Sequence, residues 1–231
     1  MVSLIRNLFE KFTSHGVQNA SRQLRNELRT QTLHKASVKK AKILAPATKH
    51  RLNLACGPNR KEGWINIDLI DTADLKLDLR ERLPFSDESV EVIYNEHFFE
   101  HLNYPSEVQS FLRECYRVLV PGGSFSVSVP DAEPLLIAYT NHDEQLFKFV
   151  RQMRWHPDWC DTPMHHVNYL FRQGEEHKYA YDCETLALIL RRAGFEEVSR
   201  RDFDATLDSE SRRESLFMKA RKPDRFEARA E

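Results

Sequence analysis

From Arg51 onward the apolar residues fall into short runs separated by segments of helical period, and this alternation constrains the chain more than any single motif. The runs Arg51–Cys56, Ile65–Ile70, Leu75–Leu79, Val90–Asn95 and Gly123–Val129 read as strands. Between the last two, Val108, Phe111, Leu112, Cys115, Tyr116 and Leu119 share one face of a helix over Ser106–Leu119, which Pro121-Gly122-Gly123 terminates as a turn. A later helix is expected over Asp182–Ala193, capped by Asp182, with Leu186, Ile189 and Leu190 facing inward and Gly194 at its end. Glu196–Phe203 and Ser215–Ala220 can add strands at the far side of the sheet. Strands joined by helices lie side by side in the same direction, so the pattern implies an α/β fold with a mostly parallel sheet and helices on both faces.

The first strand delivers Leu54-Ala55-Cys56-Gly57-Pro58-Asn59. A glycine there lets the backbone turn sharply and approach a ligand, because no Cβ intervenes. Seating a dinucleotide's pyrophosphate takes three glycines in G-x-G-x-x-G; Gly57 stands alone, in a chain with 7 glycines in all. That argues against NAD and FAD and leaves a ligand with an adenosine and no phosphate. Asp68 in Asn66-Ile67-Asp68 and Asp78 in Leu77-Asp78-Leu79 follow the second and third strands, where carboxylates can take ribose hydroxyls and an adenine amino group. Each is also an ordinary turn or cap residue. Only Gly57–Trp64 separates the first two strands, and a helical crossover needs about a dozen residues or more, so the first crossover must be reduced to a turn.

Charge divides the chain in two. The formal total is -1, yet residues 1–50 hold ten Lys and Arg against Glu10 and Glu27, about +8 against about -9 for the remainder. Leu4, Ile5, Leu8, Phe9 and Phe12 make an apolar helical stripe, followed by Arg22, Arg25, Arg29, Lys35, Lys39, Lys40 and Lys42. Residues 1–48 thus read as a basic, amphipathic appendage. It either docks on an anionic membrane surface, an acidic partner or RNA, or packs as a solvated helix on the body. Residues 49–222 form the main domain and 223–231 a polar tail. A uniformly basic nucleic-acid binder is excluded, and no specific nucleic acid is expected. No apolar run is long enough to span a bilayer, and no secretory signal is evident, so a cytoplasmic protein is expected. Cys56, Cys115, Cys160 and Cys183 form no C-x-x-C pair and suggest neither a disulfide framework nor a thiolate zinc site.

Taken together, Leu54-Ala55-Cys56-Gly57-Pro58-Asn59, Gly63-Trp64-Ile65-Asn66-Ile67-Asp68, Leu83-Pro84-Phe85, Glu100-His101-Leu102 and Glu114 through Gly123, then Val129-Pro130-Asp131, resemble a class I S-adenosylmethionine-dependent methyltransferase over about 51–221. Arg117 through Gly123 is similar to the family's small-molecule branch. The G-P-N and G-W-I-N-x-D link, with His177-Lys178-Tyr179-Ala180-Tyr181-Asp182, resembles a subgroup with a shortened crossover. The resemblance implies a Rossmann-like sheet, S-adenosyl-L-methionine as cofactor, and methyl transfer to a small-molecule or glycan-like acceptor, at oxygen or nitrogen. It further implies that Ala55, Cys56, Gly57, Pro58 and Asn59 line the methionine side, that Asp68 and Leu69 meet the ribose, that Asp78 and Leu79 meet adenine, and that Asn95, Glu96 and His97 close over the cofactor.

A hydroxyl acceptor needs a base near the crevice, and His101 and Asp131 are the candidates; either can instead be structural, His101 as a core histidine and Asp131 as a loop cap. Residues 153–181 concentrate aromatic and imidazole groups in a loop-like insertion that suits an acceptor-binding lid, with His166, Tyr179 and Tyr181 as acceptor contacts. One competing reading is His97-Phe98-Phe99-Glu100-His101 as the H-x-x-E-H motif of a zinc-dependent hydrolase. That motif needs a continuous helix, which the preceding strand and Pro105 oppose, and no metal ligands are assigned. A methyltransferase-like module that binds without catalysing is the third alternative.

Overall fold

The computed structural model describes residues 13–44 and 50–224. Six strands, β1 (His50–Leu54), β2 (Ile65–Ile67), β3 (Val90–Glu96), β4 (Leu119–Val129), β5 (Glu196–Arg200) and β6 (Leu216–Arg221), form one sheet in the order β2-β1-β3-β4-β6-β5. β1 pairs in parallel with β2 and β3, and β3 with β4, while β6 runs antiparallel between β4 and β5. The helices are α1 (His15–Leu44), α2 (Ser106–Val118), α3 (Glu133–Thr140), α4 (Glu144–Gln152), α5 (Pro163–Arg172) and α6 (Cys183–Arg192). This is the Rossmann-like α/β architecture. From Phe125 to Val129 every residue of β4 is buried, which requires cover on both faces of the sheet. α2 turns Val108, Phe111, Leu112, Cys115 and Val118 inward, and α6 turns in Leu186, Ile189 and Leu190 behind an Asp182 cap that accepts the Thr185 N–H at 2.8 Å.

The chain leaves β1 for β2 at the sheet's edge, then crosses back to β3 on the other side of β1. A ligand crevice opens at such a reversal, beyond the strands' carboxyl ends. The β1–β2 link is as short as the sequence requires, and two buried asparagines hold it. Asn53 Nδ2 donates to Asn59 O and to Asn66 Oδ1, each at 2.9 Å. Asn66 Oδ1 also accepts the Lys61 N–H at 2.7 Å, and its Nδ2 donates to Lys61 O, Trp64 O and Asp74 Oδ2. Side-chain amides thus satisfy backbone groups that a crossover helix would have satisfied internally.

Three expectations change. Leu75–Leu79 is not a strand; only Leu75 bridges Ile67, and the segment instead lies against α1. Pro121-Gly122-Gly123 is not a turn before the strand but part of β4, where the register against β3 shifts between Val90 and Val92. A Cβ on Gly123 would stand 2.8 Å from Val120 O and 3.2 Å from Glu91 O, so only glycine lets the bulged backbone approach β3. Residues 153–181 are not a loop throughout, because α5 lies within them and packs with α3 and α4 as a small helical lobe. α3 carries apolar residues on every side, with Leu136, Ile137 and Tyr139 exposed, so no stripe marks it in the sequence.

α1 lies along residues 74–80 through its second half. Lys40 Nζ donates to Asp74 O at 2.6 Å, Ser37 Oγ accepts the Lys76 N–H at 2.8 Å, His34 Nδ1 accepts the Asp78 N–H at 3.1 Å, and Ala41 is fully buried. The apolar stripe from Leu4 to Phe12 and most of the polar tail lie outside the described residues. No helix among the described residues is long and apolar enough to cross a membrane.

Candidate active site

At the end of β1 the chain turns through Ala55 (φ 54°) and Gly57 (φ 50°), both left-handed. The Gly57 N–H donates to Asp68 Oδ2 at 2.9 Å, and Asp68 Oδ1 accepts the Leu69 and Ile70 N–H groups at 2.6 and 3.3 Å. Asp68 is therefore the brace that shapes the glycine turn. A Cβ built on Gly57 would meet nothing within 4 Å, so the turn faces open space. Cys56 is buried beneath it; burial, then the Asp68 carboxylate, push its thiol up to about 11.

The neighbouring strand end supplies Asn95 and Glu96. Asn95 Nδ2 donates to Leu54 O at 3.0 Å, while its Oδ1 is buried without a partner. Glu96 accepts the Ser209 N–H and the Tyr94 hydroxyl, each at 2.9 Å, and the Ser209 hydroxyl also bonds to it. Asn59 Nδ2 reaches Ser209 Oγ at 2.7 Å. The segment between β5 and β6 thus folds over this edge, fastened inside by the ion pair of Arg201 with the fully buried Asp208 carboxylate at 2.6 Å. Open space over a left-handed glycine turn fits the close approach of an adenosyl amino acid.

Asp78 and Leu79 are placed differently. Leu79 is in the core, and the Asp78 carboxylate is held by Arg80 at 2.8 Å, which also pairs with Glu27 of α1. Burial acts to raise the Asp78 carboxyl, and the bonds from Arg80 outweigh it and hold it below the ordinary carboxylate range. Asp78 therefore anchors α1 rather than bonding to the glycine turn.

After β3, His97 adopts φ 51° and a single 3-10 turn, Phe99–His101, follows. This removes the continuous helix that the zinc-hydrolase reading of His97, Glu100 and His101 required. Glu100 is 2% exposed and its Oε2 has no partner; burial acts to raise its carboxyl, and the His97 imidazole outweighs it and holds it below the usual range. His97 Nδ1 stands 3.3 Å from Glu100 Oε1, and its Nε2 bonds Ser215 Oγ at 2.7 Å. The rings of His101 and His177 meet edge to face at 5.1 Å.

Beside this turn opens a cavity of about 470 Å³ whose walls include His97, Asp131, His156, Tyr169, His177 and Ser215. Of the two candidate bases, Asp131 lies on the cavity and His101 does not. Asp131 Oδ1 accepts the Glu133 N–H and Oδ2 pairs with Arg200, each at 3.2 Å, and burial pushes its carboxyl up. The expected acceptor contacts lie elsewhere. His166 is fully buried against Phe147, with Nδ1 2.9 Å from His156 Nδ1. Tyr181 is in the core, and Tyr179 stacks between Tyr104 and Tyr181. Their places on the wall are taken by His156, Tyr169 and the 211–215 segment; the two aromatics were visible in the sequence cluster, but Ser211–Ser215 carried no signal. Burial, then His166, lower the His156 imidazole to about 4.

Residues 51–127 match the family described as a methyltransferase domain. A probable S-adenosylmethionine-dependent methyltransferase of Mycolicibacterium smegmatis is 47% identical over 49 residues, 21% of this chain and 18% of that protein. The match thus spans under a fifth of the curated relative's length. Among solved structures, a SAM-dependent methyltransferase from Methanosarcina mazei has a TM-score of 0.46 and 17% identity, covering 77% of this chain and 94% of its own. Phosphoethanolamine N-methyltransferase 2 from Haemonchus contortus, in complex with phosphomonomethylethanolamine and S-adenosylhomocysteine, has a TM-score of 0.48 and 13% identity, covering 82% and 53%. Residues 51–127, which hold β1 from its second residue, β2, β3 and most of β4, are thus the part of the chain that is similar to a methyltransferase domain.

Proposed function

We propose that the whole chain is an S-adenosylmethionine-dependent methyltransferase that methylates a small-molecule or glycan-like acceptor at oxygen or nitrogen. The observation that carries it is the family match over 51–127, whose first strand ends in the open, left-handed Gly57 turn braced by Asp68. The cofactor, when bound, supplies a methyl group activated on a sulfonium. The chain's task is then to align the acceptor and exclude water. Gly57 admits the methionine end, and the 201–215 segment covers the crevice. The cavity size suits a small acceptor, and Trp155 and Tyr169 offer aromatic faces with polar edges. Asp131 is the proposed base: it lies on the cavity wall, and a carboxyl raised by burial accepts a proton better at neutral pH. Four free cysteines are in keeping with the cytoplasmic location that belongs to this reading. The basic outer face of α1 is proposed to meet an anionic membrane or acidic partner.

Calorimetry with S-adenosylhomocysteine tests the core of this. One molecule should bind per chain, and Gly57→Val should weaken binding at least about tenfold, because a β-branched residue resists φ > 0 and its side chain enters the space over the turn. No detectable binding to the intact chain would overturn the reading.

A further inference from the structure

We propose that Glu100, His101 and His177 bind one divalent transition-metal cation at the carboxyl end of β3. Ligand atoms of Glu100, His101 and His177 all lie within 4.8 Å of one another. The Glu100 carboxylate is buried, with Oε2 lacking any partner and Oε1 met only by His97 Nδ1 at 3.3 Å, so one oxygen is left for a cation to answer.

The imidazoles are set for ligation. His177 Nδ1 contacts Leu170 O at 2.6 Å, and His101 Nδ1 contacts Glu176 O at 3.2 Å. A carbonyl oxygen only accepts, so each Nδ1 carries the proton and each Nε2 keeps its lone pair. Backbone carbonyls holding the far nitrogen are how metal-ligating histidines are oriented. His97 braces the carboxylate from outside the triad: its Nδ1 stands 3.3 Å from Glu100 Oε1 and its Nε2 bonds Ser215 Oγ at 2.7 Å. Two imidazole nitrogens and one carboxylate suit zinc or a neighbouring d-block ion rather than calcium or magnesium, which take oxygen.

The second cluster, His156, Cys160 and His166, is the natural control. Its two histidine nitrogens already bond each other at 2.9 Å. Because His97 and His177 line the 470 Å³ cavity, a further coordination position would face the acceptor. That last role, holding an acceptor oxygen, rests on the methyltransferase reading; the metal site does not.

The test strips the full chain with chelator and titrates it with Co²⁺. Expected are one equivalent per chain, visible d–d absorption without a thiolate charge-transfer band, and retention of both in Cys160→Ser. His177→Ala and His101→Asn should each weaken binding by about 100-fold, and Ser215→Ala by about tenfold. Should His177→Ala fail to fold by circular dichroism, the half-buried His101→Asn decides. No stoichiometric uptake by the folded chain overturns the site, as does uptake lost in Cys160→Ser and kept in His101→Asn. Calorimetry with S-adenosylhomocysteine on stripped and loaded protein separates the two proposals: a chain that takes Co²⁺ but not the thioether keeps the metal site and loses the methyltransferase.

Discussion

The turns after β1 and after β3 are neighbours in the sheet, and both begin at a left-handed residue, Ala55 and His97, yet their polar groups are in opposite states. After β1, Asn53, Asn66 and Asp68 satisfy one another and the backbone of the link. After β3, the Glu100 carboxylate is buried with one oxygen unpartnered and the other met only by His97 Nδ1 at 3.3 Å. A saturated network shapes the space a ligand enters rather than bonding to it. An unsaturated one holds its binding capacity in reserve, at a cost in stability.

The largest expected effect probes the saturated side. Asn66→Ala strands the Lys61 N–H and the Asn53 amide in the interior and should cost about 3 kcal/mol by urea denaturation. A loss below about 1 kcal/mol would mean that water replaces the amide and that the network is not closed. Glu100→Gln probes the other side. In metal-free protein the His97 imidazole answers only one of the two carboxylate oxygens, so removing the charge should cost no more than about 1 kcal/mol. A loss of several kcal/mol would show that His97 already compensates the carboxylate, and the contrast would collapse.

Asp182, an ordinary satisfied carboxylate outside both turns, gives the yardstick. Asp182→Ala removes the cap of α6 and should cost about 1 kcal/mol near neutral pH. The bonds from Thr185 hold this carboxyl below its usual value of 3.8, so its contribution is present above that pH and is lost as pH falls through the lower folded value. Melts of wild type and variant should therefore converge in acid; a gap that persists there would assign the effect to packing. The smallest effect is kinetic: with its thiol raised by burial, Cys56 should react with iodoacetamide far more slowly than an unfolded thiol at pH 8, and fast labelling would show that the glycine turn opens.

Much of the fold was legible because burial imposes period. The helix at 106–118 announced itself through Val108, Phe111, Leu112 and Cys115, and the Asp182 cap through its place before a helical stripe. The short β1–β2 link was legible too, since a span without room for a helix is a matter of counting. The lobe of α3, α4 and α5 was not. α3 carries apolar residues on every side and shows no stripe, and α5 buries His166, which read as a ligand contact, in the lobe's interior. Pro121-Gly122-Gly123 read as a turn because local preference carries no information about a strand waiting alongside.

What the sequence by itself determined is the α/β order, the single glycine turn that suits a phosphate-free adenosyl group, and the methyltransferase resemblance of the central segment. Only the tertiary structure decided which side chains meet. Glu100 and His177 lie far apart in sequence, and their approach depends on how the 170–177 segment packs over the end of β3, where Lys178 N–H bonds Glu100 O at 2.6 Å. Period and propensity are local, whereas the desolvation that makes a carboxylate demand a cation is a property of everything packed around it.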